Sequence, residues 1–194
     1  MSLPASLPSP LWSSDAILSQ WFEDAATPLE VDFGCHRGAF LLGIAALHPE
    51  CRFLGIERQP ARVQKCLGRI RRNERLNAHA VEGTGSAALT QWLPDASVST
   101  LHVSFPDPWP KRKHAMRRLV NSEFLKQCHR VLRPHGILRM MTDDTAYFHE
   151  MVALTNKTWQ QIPWHSPPDQ PLTAFERRFE SQGQIPHRLA LRRA

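Results

Sequence analysis

The sequence lacks any apolar run long enough to cross a membrane. Its longest apolar segment, Gly38 to Leu47, is about half of the ~20 residues that a spanning helix needs. The first residues also carry no basic segment ahead of an apolar one, so we expect no signal peptide. These absences argue against a membrane partner and favour the cytoplasm.

Cysteine is scarce and its spacing is uninformative. The four cysteines, Cys35, Cys51, Cys66 and Cys128, form neither a C-x-x-C motif nor the Cys/His spacing of a zinc site. We therefore expect reduced thiols in or near the core and no metal site. The chain also has no G-x-G-x-x-G loop, which argues against a dinucleotide-dependent oxidoreductase.

The balance of charge points to an acidic partner. The 194 residues include 24 Lys and Arg but 18 Asp and Glu, a formal net charge of +6, and the sequence pI is about 9.6. Such a chain favours nucleic acid ahead of an anionic membrane. Its length suits one core, so we expect a single domain over 29–194 and an N-terminal arm, 1–28, packed on it.

Strand, turn and helix patterns alternate from residue 29. Apolar residues alternate over 29–33, and the loop from Asp32 through Gly34 to Gly38 precedes a helical pattern. Glycines at such a turn let a nucleotide-like ligand approach backbone N–H groups at a helix N-terminus, although this signal alone is weak. The next strand, 52–57, ends at Glu57, which is placed either to bind ribose hydroxyls or simply at the surface.

The remaining pattern predicts a doubly wound α/β sheet. Further strands are predicted at 78–82, 98–103 and 137–142. Helices are predicted at 117–132, with a stop signal at Pro134-His135-Gly136, and at 147–154. A final alternating segment at 187–193 suits an edge strand. Parallel strands place their carboxyl ends on one edge, where α/β proteins bind ligands. Four strands lead to an acid at that edge: Asp32, Glu57, Asp107 and Asp143.

The most informative stretch follows the fourth strand. Pro106 and Pro108 restrict the backbone around Asp107, so this carboxylate is presented on a stiff, extended loop. Five cations follow it, enough to hold a phosphate backbone: Lys111, Arg112, Lys113, Arg117 and Arg118. Such a charge run also occurs as the solvated start of a helix, but its position beside a fixed Asp and Trp109 favours binding.

Together these motifs resemble the tRNA (guanine-N7)-methyltransferase family, which has a Rossmann-like fold. The resemblance covers about residues 29–193. It rests on the segments Val31-Asp32-Phe33-Gly34 with Gly38, Phe53 to Glu57, Phe105 to Trp109 with Lys111 and His114, Thr142-Asp143, and Thr173 to Arg178. It implies a mostly parallel sheet with an antiparallel edge strand, S-adenosylmethionine as cofactor, tRNA as partner, and a monomer or weak homodimer.

The resemblance also implies a role for each site residue. Asp107 is the expected catalytic residue, which orients guanine and stabilises the cation formed at N7. The expected cofactor-binding residues are Asp32, Gly34, Gly38, Glu57, Thr84 and Ser104. The expected substrate-binding residues are Lys111, Asp143, Thr173, Phe175, Glu176 and Arg178, and those for RNA phosphate are Arg112, Lys113, Arg117 and Arg118.

The chain departs from the family pattern in the cofactor loop. His36 replaces the usual middle glycine, and Thr84-Gly85 replaces an Asp-Ala pair; Pro110 and Asp144-Thr145 are further departures. Two hypotheses of different classes follow. The first is a tRNA guanine-N7 methyltransferase, and the second is a non-catalytic RNA-binding paralogue with a weakened cofactor site.

Overall fold

The computed structural model describes residues 15–155, 158–166 and 169–194. The strands are β1 (Leu29–Phe33), β2 (Arg52–Glu57), β3 (Ala78–Glu82), β4 (Val98–Ser104), β5 (Leu132–Thr142), β6 (Trp159–Ile162) and β7 (His187–Arg193). The helices are α1 (Ala16–Glu23), α2 (Ala39–Leu47), α3 (Pro60–Arg72), a short α4 (Gly85–Ala87), α5 (Ser122–Val131), α6 (Thr145–Ala153) and α7 (Ala174–Ser181). A π-helical turn, Ala88–Trp92, continues α4, and Arg112–Arg117 form a 3-10 helix.

The seven strands form one sheet in the order β3-β2-β1-β4-β5-β7-β6. The first five strands are parallel, whereas β7 pairs antiparallel with both β5 and β6. The chain starts at the centre with β1, winds outward to β3 and then crosses to β4 on the other side of β1. The mostly parallel, doubly wound α/β sheet predicted from the sequence is confirmed, and its switch point lies between β1 and β4.

The antiparallel edge is formed by a different segment from the one predicted. The 187–193 segment is strand β7, but it lies inside the sheet between β5 and β6, so its expected edge position is wrong. The edge strand is β6, a four-residue segment that the sequence pattern did not reveal. Its burial pattern has one buried residue, Trp159, which is too little alternation for a periodicity signal.

The helix predicted at 117–132 begins later and ends without the expected break. Helix α5 starts at Ser122, where the Asn121 side chain accepts a hydrogen bond from the backbone N–H of Phe124. The predicted stop at Pro134-His135-Gly136 lies within β5, where the pairing with β4 shifts register between Val98 and Thr100. His135 there has φ +63°, so the three residues form a bulge in the strand and not a connecting turn.

Helix α1, the described part of the predicted N-terminal arm, packs against the sheet. Asp15 caps its N-terminus, and the second carboxylate oxygen of Asp15 lies 3.0 Å from Nε2 of His79 on β3. Leu18 and Trp21 are buried in the large core cluster. Residues 1–14 of the arm lie outside the described residues, and the division of the chain at residue 28 stays a prediction.

Apolar layers cover the two faces of the sheet. A smaller cluster packs α2 and α3 on the β2–β3 side, and a larger one joins α1, α5 and α6 to the sheet on the other face. Among the residues that the structure describes, no helix is long and apolar enough to cross a membrane.

Candidate active site

A cavity of about 790 Å³ opens at the carboxyl ends of β1, β2 and β4, beside the switch point of the sheet. Its walls come from the β1–α2 turn, the loops after β2, β3 and β4, and the N-terminus of α7. A volume of several hundred Å³ is the size that holds a small-molecule ligand. The topology therefore places one pocket where an α/β sheet is expected to bind its ligand.

Left-handed backbone shapes the turn between β1 and α2. Gly34 has φ +81° and Gly38 has φ +71°, and His36 between them has φ +54°. Gly34 lines the cavity, whereas Gly38 does not; a Cβ at Gly38 would lie 2.4 Å from Sγ of Cys66 on α3. Gly38 is thus needed for helix packing, and Gly34 for the path of the loop beside the cavity.

The Glu57 carboxylate ties this turn to the end of β2. One oxygen accepts from the backbone N–H of His36 at 3.1 Å and the other from that of Gln59 at 3.0 Å. Nη1 of Arg62 lies 3.7 Å from the carboxylate, which is only 4 % exposed. Each carboxylate oxygen can accept a second hydrogen bond, so Glu57 can still bind ligand hydroxyls from inside the cavity.

Asp32 is a buried carboxylate that faces the same cavity. Burial raises its pKa to about 6; the positive field of His102 opposes this and the nearby Glu57 adds to it. No side chain in the described part of the chain donates a hydrogen bond to this carboxylate. A buried carboxylate without a protein donor is costly in free energy, so Asp32 points to a ligand that supplies donors.

A second acid, Glu30, is partly buried one pleat below Asp32. Glu30 contacts His102 on β4, with 2.7 Å between carboxylate oxygen and Nε2. Burial raises the pKa of Glu30, but the hydrogen bond and charge of His102 outweigh it, so the net shift is downward. Nε2 of His102 is therefore engaged by Glu30, and His102 makes no hydrogen bond to Asp32.

The far wall of this part of the cavity comes from the loop after β3 and the end of β4. The Thr84 hydroxyl accepts from the Ala87 N–H and caps the short helix α4, while Ser104 ends β4; both line the cavity. Buried carboxylates, a glycine turn and hydroxyls around one pocket match the donors and charge of S-adenosylmethionine. The residues present therefore fit the cofactor that the resemblance implies.

The loop that carries Asp107 is strained. Phe105 and Trp109, which precede Pro106 and Pro110, have φ +53° and +43°, so left-handed residues flank the extended path predicted from the prolines. The Asp107 side chain is 65 % exposed at the cavity, and a carboxylate oxygen lies 3.8 Å from Nη2 of Arg58. Strain of this kind persists only where neighbouring contacts hold it.

Arg118 provides one of those contacts. Its guanidinium donates to the Pro108 carbonyl at 2.6 Å, forms an ion pair with Glu150, and lies 4.9 Å from the ring centre of Tyr147. The side chain is only 10 % exposed. Arg118 thus clamps the Asp107 loop onto α6, and its guanidinium is occupied within the protein.

Phe105 provides the second contact, through α7. Its ring lies 5.6 Å from that of Phe175 and 5.2 Å from that of Phe179. Helix α7 begins with a capping box, in which Thr173 and Glu176 each accept a hydrogen bond from the other's backbone N–H. The other Glu176 oxygen pairs with Arg188 at 3.3 Å.

The structure brings most of the predicted site residues to this one cavity. Those that line it are Asp32, Gly34, Glu57, Thr84, Ser104, Asp107, Arg117, Arg118, Thr173, Phe175 and Arg178. Predicted residues outside the lining are Gly38, Lys111, Lys113, Asp143 and Glu176. The side chain of Arg112 lies outside the described part of the chain. The individual roles of all these residues stay predictions.

Sequence reasoning missed several residues that position the site. Arg58 and Arg62 pair with Asp107 and Glu57, and Tyr147 accepts from the Val120 N–H beneath the clamp. Arg58 directly follows the acid that ends β2, which is a local signal for a charged rim. Tyr147 has no comparable signal, because its partners lie 27 and 29 residues before it in the chain.

Comparison with known proteins agrees with this arrangement. A family model described as "Putative methyltransferase" matches residues 26–189. The tRNA (guanine-N(7)-)-methyltransferase of Lactococcus lactis subsp. cremoris (strain MG1363) is 32 % identical over 171 residues, which is 84 % of this chain and 78 % of the relative. The protein of the same name from Mycoplasma pneumoniae (strain ATCC 29342 / M129 / Subtype 1) is 34 % identical over 166 residues, 80 % of this chain and 79 % of the relative.

A solved structure supports the fold independently of sequence. The crystal structure of the 16S rRNA methyltransferase KamB superposes with a TM-score of 0.64 at 16 % identity, covering 92 % of both chains. Identity this low speaks for the fold alone. The sequence relatives, the family model and the cavity at the switch point agree, and the chain belongs to the tRNA (guanine-N(7)-)-methyltransferase family of Rossmann-like methyltransferases.

Proposed function

We propose that this protein transfers a methyl group from S-adenosylmethionine to N7 of a guanosine in tRNA, in the cytoplasm. The observation that carries the proposal is that one cavity joins two sets of groups. Asp32, Gly34 and Glu57 line its inner part, and the exposed Asp107 side chain stands at its rim. A donor and a base can therefore meet within a single pocket.

The inner part has the groups to hold the cofactor. Glu57 would accept hydrogen bonds from ribose hydroxyls, Asp32 from a cationic or hydroxyl donor, and the Gly34 turn permits close approach of the backbone. When bound, S-adenosylmethionine supplies an electrophilic methyl group on a sulfonium. The protein's task at this end is orientation, since alignment of reacting atoms supplies much of the rate.

The rim has the groups to hold guanine. N7 carries a lone pair at neutral pH, so no general base has to remove a proton before methylation. The purine becomes cationic in the reaction, and the Asp107 carboxylate, accepting from guanine N–H groups, would orient the base and stabilise that charge. The Arg58 guanidinium lies 3.8 Å from this carboxylate, and because both side chains are largely exposed, the ion pair leaves the carboxylate accessible to guanine.

The non-catalytic alternative receives less support. His36 departs from the family pattern, but its backbone adopts the left-handed φ of +54° that a glycine would, and its N–H binds Glu57. Thr84 likewise lines the cavity as a helix cap. Both departures are thus accommodated without closing the pocket.

The proposal is tested with purified protein, S-adenosylmethionine and a tRNA transcript. Mass spectrometry of the digested tRNA should show 7-methylguanosine, and replacing the target guanosine by adenosine should abolish it. Calorimetry should show cofactor binding that Glu57→Gln weakens at least tenfold, since a hydrogen bond to a charged group contributes about 1.5–3 kcal/mol. Cofactor binding without any methylated product would refute the catalytic proposal.

A further inference from the structure

A second concave surface lies beside the cavity, on the outer side of α3. It has a volume of about 590 Å³, and its charged lining residues are all cationic: Arg37, Lys65, Arg69 and Arg72. We call these four residues with Gly68 the basic groove. None of them belongs to the site residues discussed so far, and a groove with only positive charge is suited to an extended anion.

The helix presents this charge on one face. Lys65, Arg69 and Arg72 are spaced i, i+4 and i+7, so they follow one another over about 10 Å of the helix. The opposite face of α3, with Val63, Cys66 and Ile70, is buried in the core. The helix contains no acidic residue, so its own sequence does not neutralise the groove.

The shape of the groove is built by the backbone beside it. Nη1 of Arg69 donates to the Arg37 carbonyl oxygen at 2.8 Å and fixes one rim. A Cβ at Gly68 would meet only the Arg72 guanidinium, at 3.8 Å, so the floor of the groove is open. Within the described ranges no carboxylate lies within 4.0 Å of the charged nitrogens of these four residues.

The groove is continuous with the candidate active site. Arg37 lines both the groove and the large cavity. Arg62, which pairs with Glu57, and Arg58, which pairs with Asp107, also line the large cavity. Positive charge therefore extends from Asp107 across the cavity mouth and along α3.

We propose that the basic groove binds the phosphate backbone of the RNA substrate, away from the nucleotide that is methylated. The proposal rests on the proposed function, which places RNA at the cavity. Arg and Lys side chains without carboxylate partners are the groups that hold phosphate oxygens, and they act independently of base sequence. An anionic membrane fits less well, because the apolar face of α3 is buried in the core and cannot insert between lipids.

The test compares two double variants that remove the same charge. Lys65→Ala/Arg72→Ala removes two of the four cations of the groove, whereas Arg71→Ala/Lys126→Ala removes two exposed cations outside it. Binding of full-length tRNA is measured against salt concentration by fluorescence anisotropy. The groove variant should lower the slope of log affinity against log salt by about 1.4–1.8, or 0.7–0.9 per lost phosphate contact, and the control should keep the wild-type slope.

Steady-state methylation provides a second readout. The groove variant should raise KM for tRNA and leave kcat at saturating tRNA within about twofold, because the contact is made equally in the ground state and the transition state. None of the four substituted residues lines the large cavity. Calorimetry with S-adenosylmethionine should therefore give wild-type affinity in both variants and so show that both are folded.

Three outcomes decide the proposal. Equal salt slopes for the two double variants would overturn it. Loss of binding to phosphatidylserine vesicles in the groove variant, with an unchanged tRNA slope, would also overturn it and assign the groove to anionic lipid. If the wild-type protein makes no 7-methylguanosine but the groove variant lowers the RNA salt slope as expected, the groove proposal stands and the proposed function fails.

Discussion

At the scale of single residues, packing contacts do not explain why the Asp32 carboxylate is buried. Its pKa is raised to about 6, chiefly by burial. Below its ordinary pKa of 3.8 the carboxyl is protonated in the folded and unfolded states alike. Between pH 3.8 and 6 the folded state holds the proton more tightly, so the stability of the protein without ligand falls as pH rises through that window.

The substitution Asp32→Asn tests this cost. Above pH 6 it should raise the free energy of unfolding by up to roughly 3 kcal/mol, and near pH 3.5 it should change it little, because about two pKa units correspond to that energy. The same variant should bind S-adenosylmethionine more weakly. Urea unfolding at several pH values and calorimetry measure the two effects; equal stability at pH 8 would show that the carboxylate is not destabilising.

For Asp107 we expect the opposite result, a loss of activity without a change in stability, because its side chain is exposed. Asp107→Asn keeps size and shape but removes the charge that opposes the cationic purine, so single-turnover methylation should slow on the order of 10²-fold. The free energy of unfolding should stay within about 0.5 kcal/mol. Asp169→Asn removes the same charge from an exposed position outside the cavity, and its rate should match the wild type.

At the scale of elements, the β1–α2 turn requires glycine at two positions for different physical reasons. Gly34 and Gly38 share a left-handed φ, but a Cβ has open space at Gly34, whereas at Gly38 it would overlap Sγ of Cys66 and, at 2.8 Å, Cδ1 of Leu42. Helix α2 can therefore approach α3 only where residue 38 has no side chain. A side chain would therefore cause backbone strain at both positions, but steric overlap only at residue 38.

Alanine at the two positions should reveal this difference. Gly34→Ala should cost about 1–2 kcal/mol of stability for left-handed strain alone, and Gly38→Ala about 1–3 kcal/mol more for the overlap. Adding Cys66→Ala to Gly38→Ala should recover part of the extra loss. Denaturant unfolding measures all three variants, and equal losses at the two glycines would contradict the packing argument.

At the scale of the whole molecule, the cations that follow Asp107 divide into side chains engaged within the protein and side chains exposed to solvent. Lys111 precedes the 3-10 helix and Lys113 lies within it, and both side chains are exposed. Arg118 is turned inward, and the Arg117 guanidinium lies 5.1 Å from the ring centre of Trp109. Among the described side chains of that stretch, the two lysines are thus the cations most free to reach phosphate. We therefore test phosphate binding by this stretch at Lys111 and Lys113.

Lys111→Ala/Lys113→Ala should weaken tRNA binding and lower its salt slope by about 1.4–1.8, if each lysine holds one phosphate. Cofactor affinity should be unchanged, because neither side chain lines the cavity. Arg71→Ala/Lys126→Ala again removes equal charge elsewhere. A wild-type slope in the lysine variant would mean that this stretch is only a solvated surface.

The sequence by itself determined the first three strands of the sheet and two of the acids in the candidate site. Strands β1, β2 and β3 have the bounds that the sequence pattern predicts, because strand periodicity is a local property of the chain. Asp32 and Glu57 also lie where parallel strands were expected to place them. The family motif around Asp107 is likewise contained in one short segment.

Only the tertiary structure decided which of those groups share a cavity. Asp143 follows β5 outside the lining, β7 lies inside the sheet because the unpredicted β6 covers it, and Arg118 is held by Glu150, 32 residues away. Each outcome depends on contacts between segments that are distant in sequence. Local periodicity carries no information on such contacts, so the sequence identified the candidate residues and the packing of the sheet selected among them.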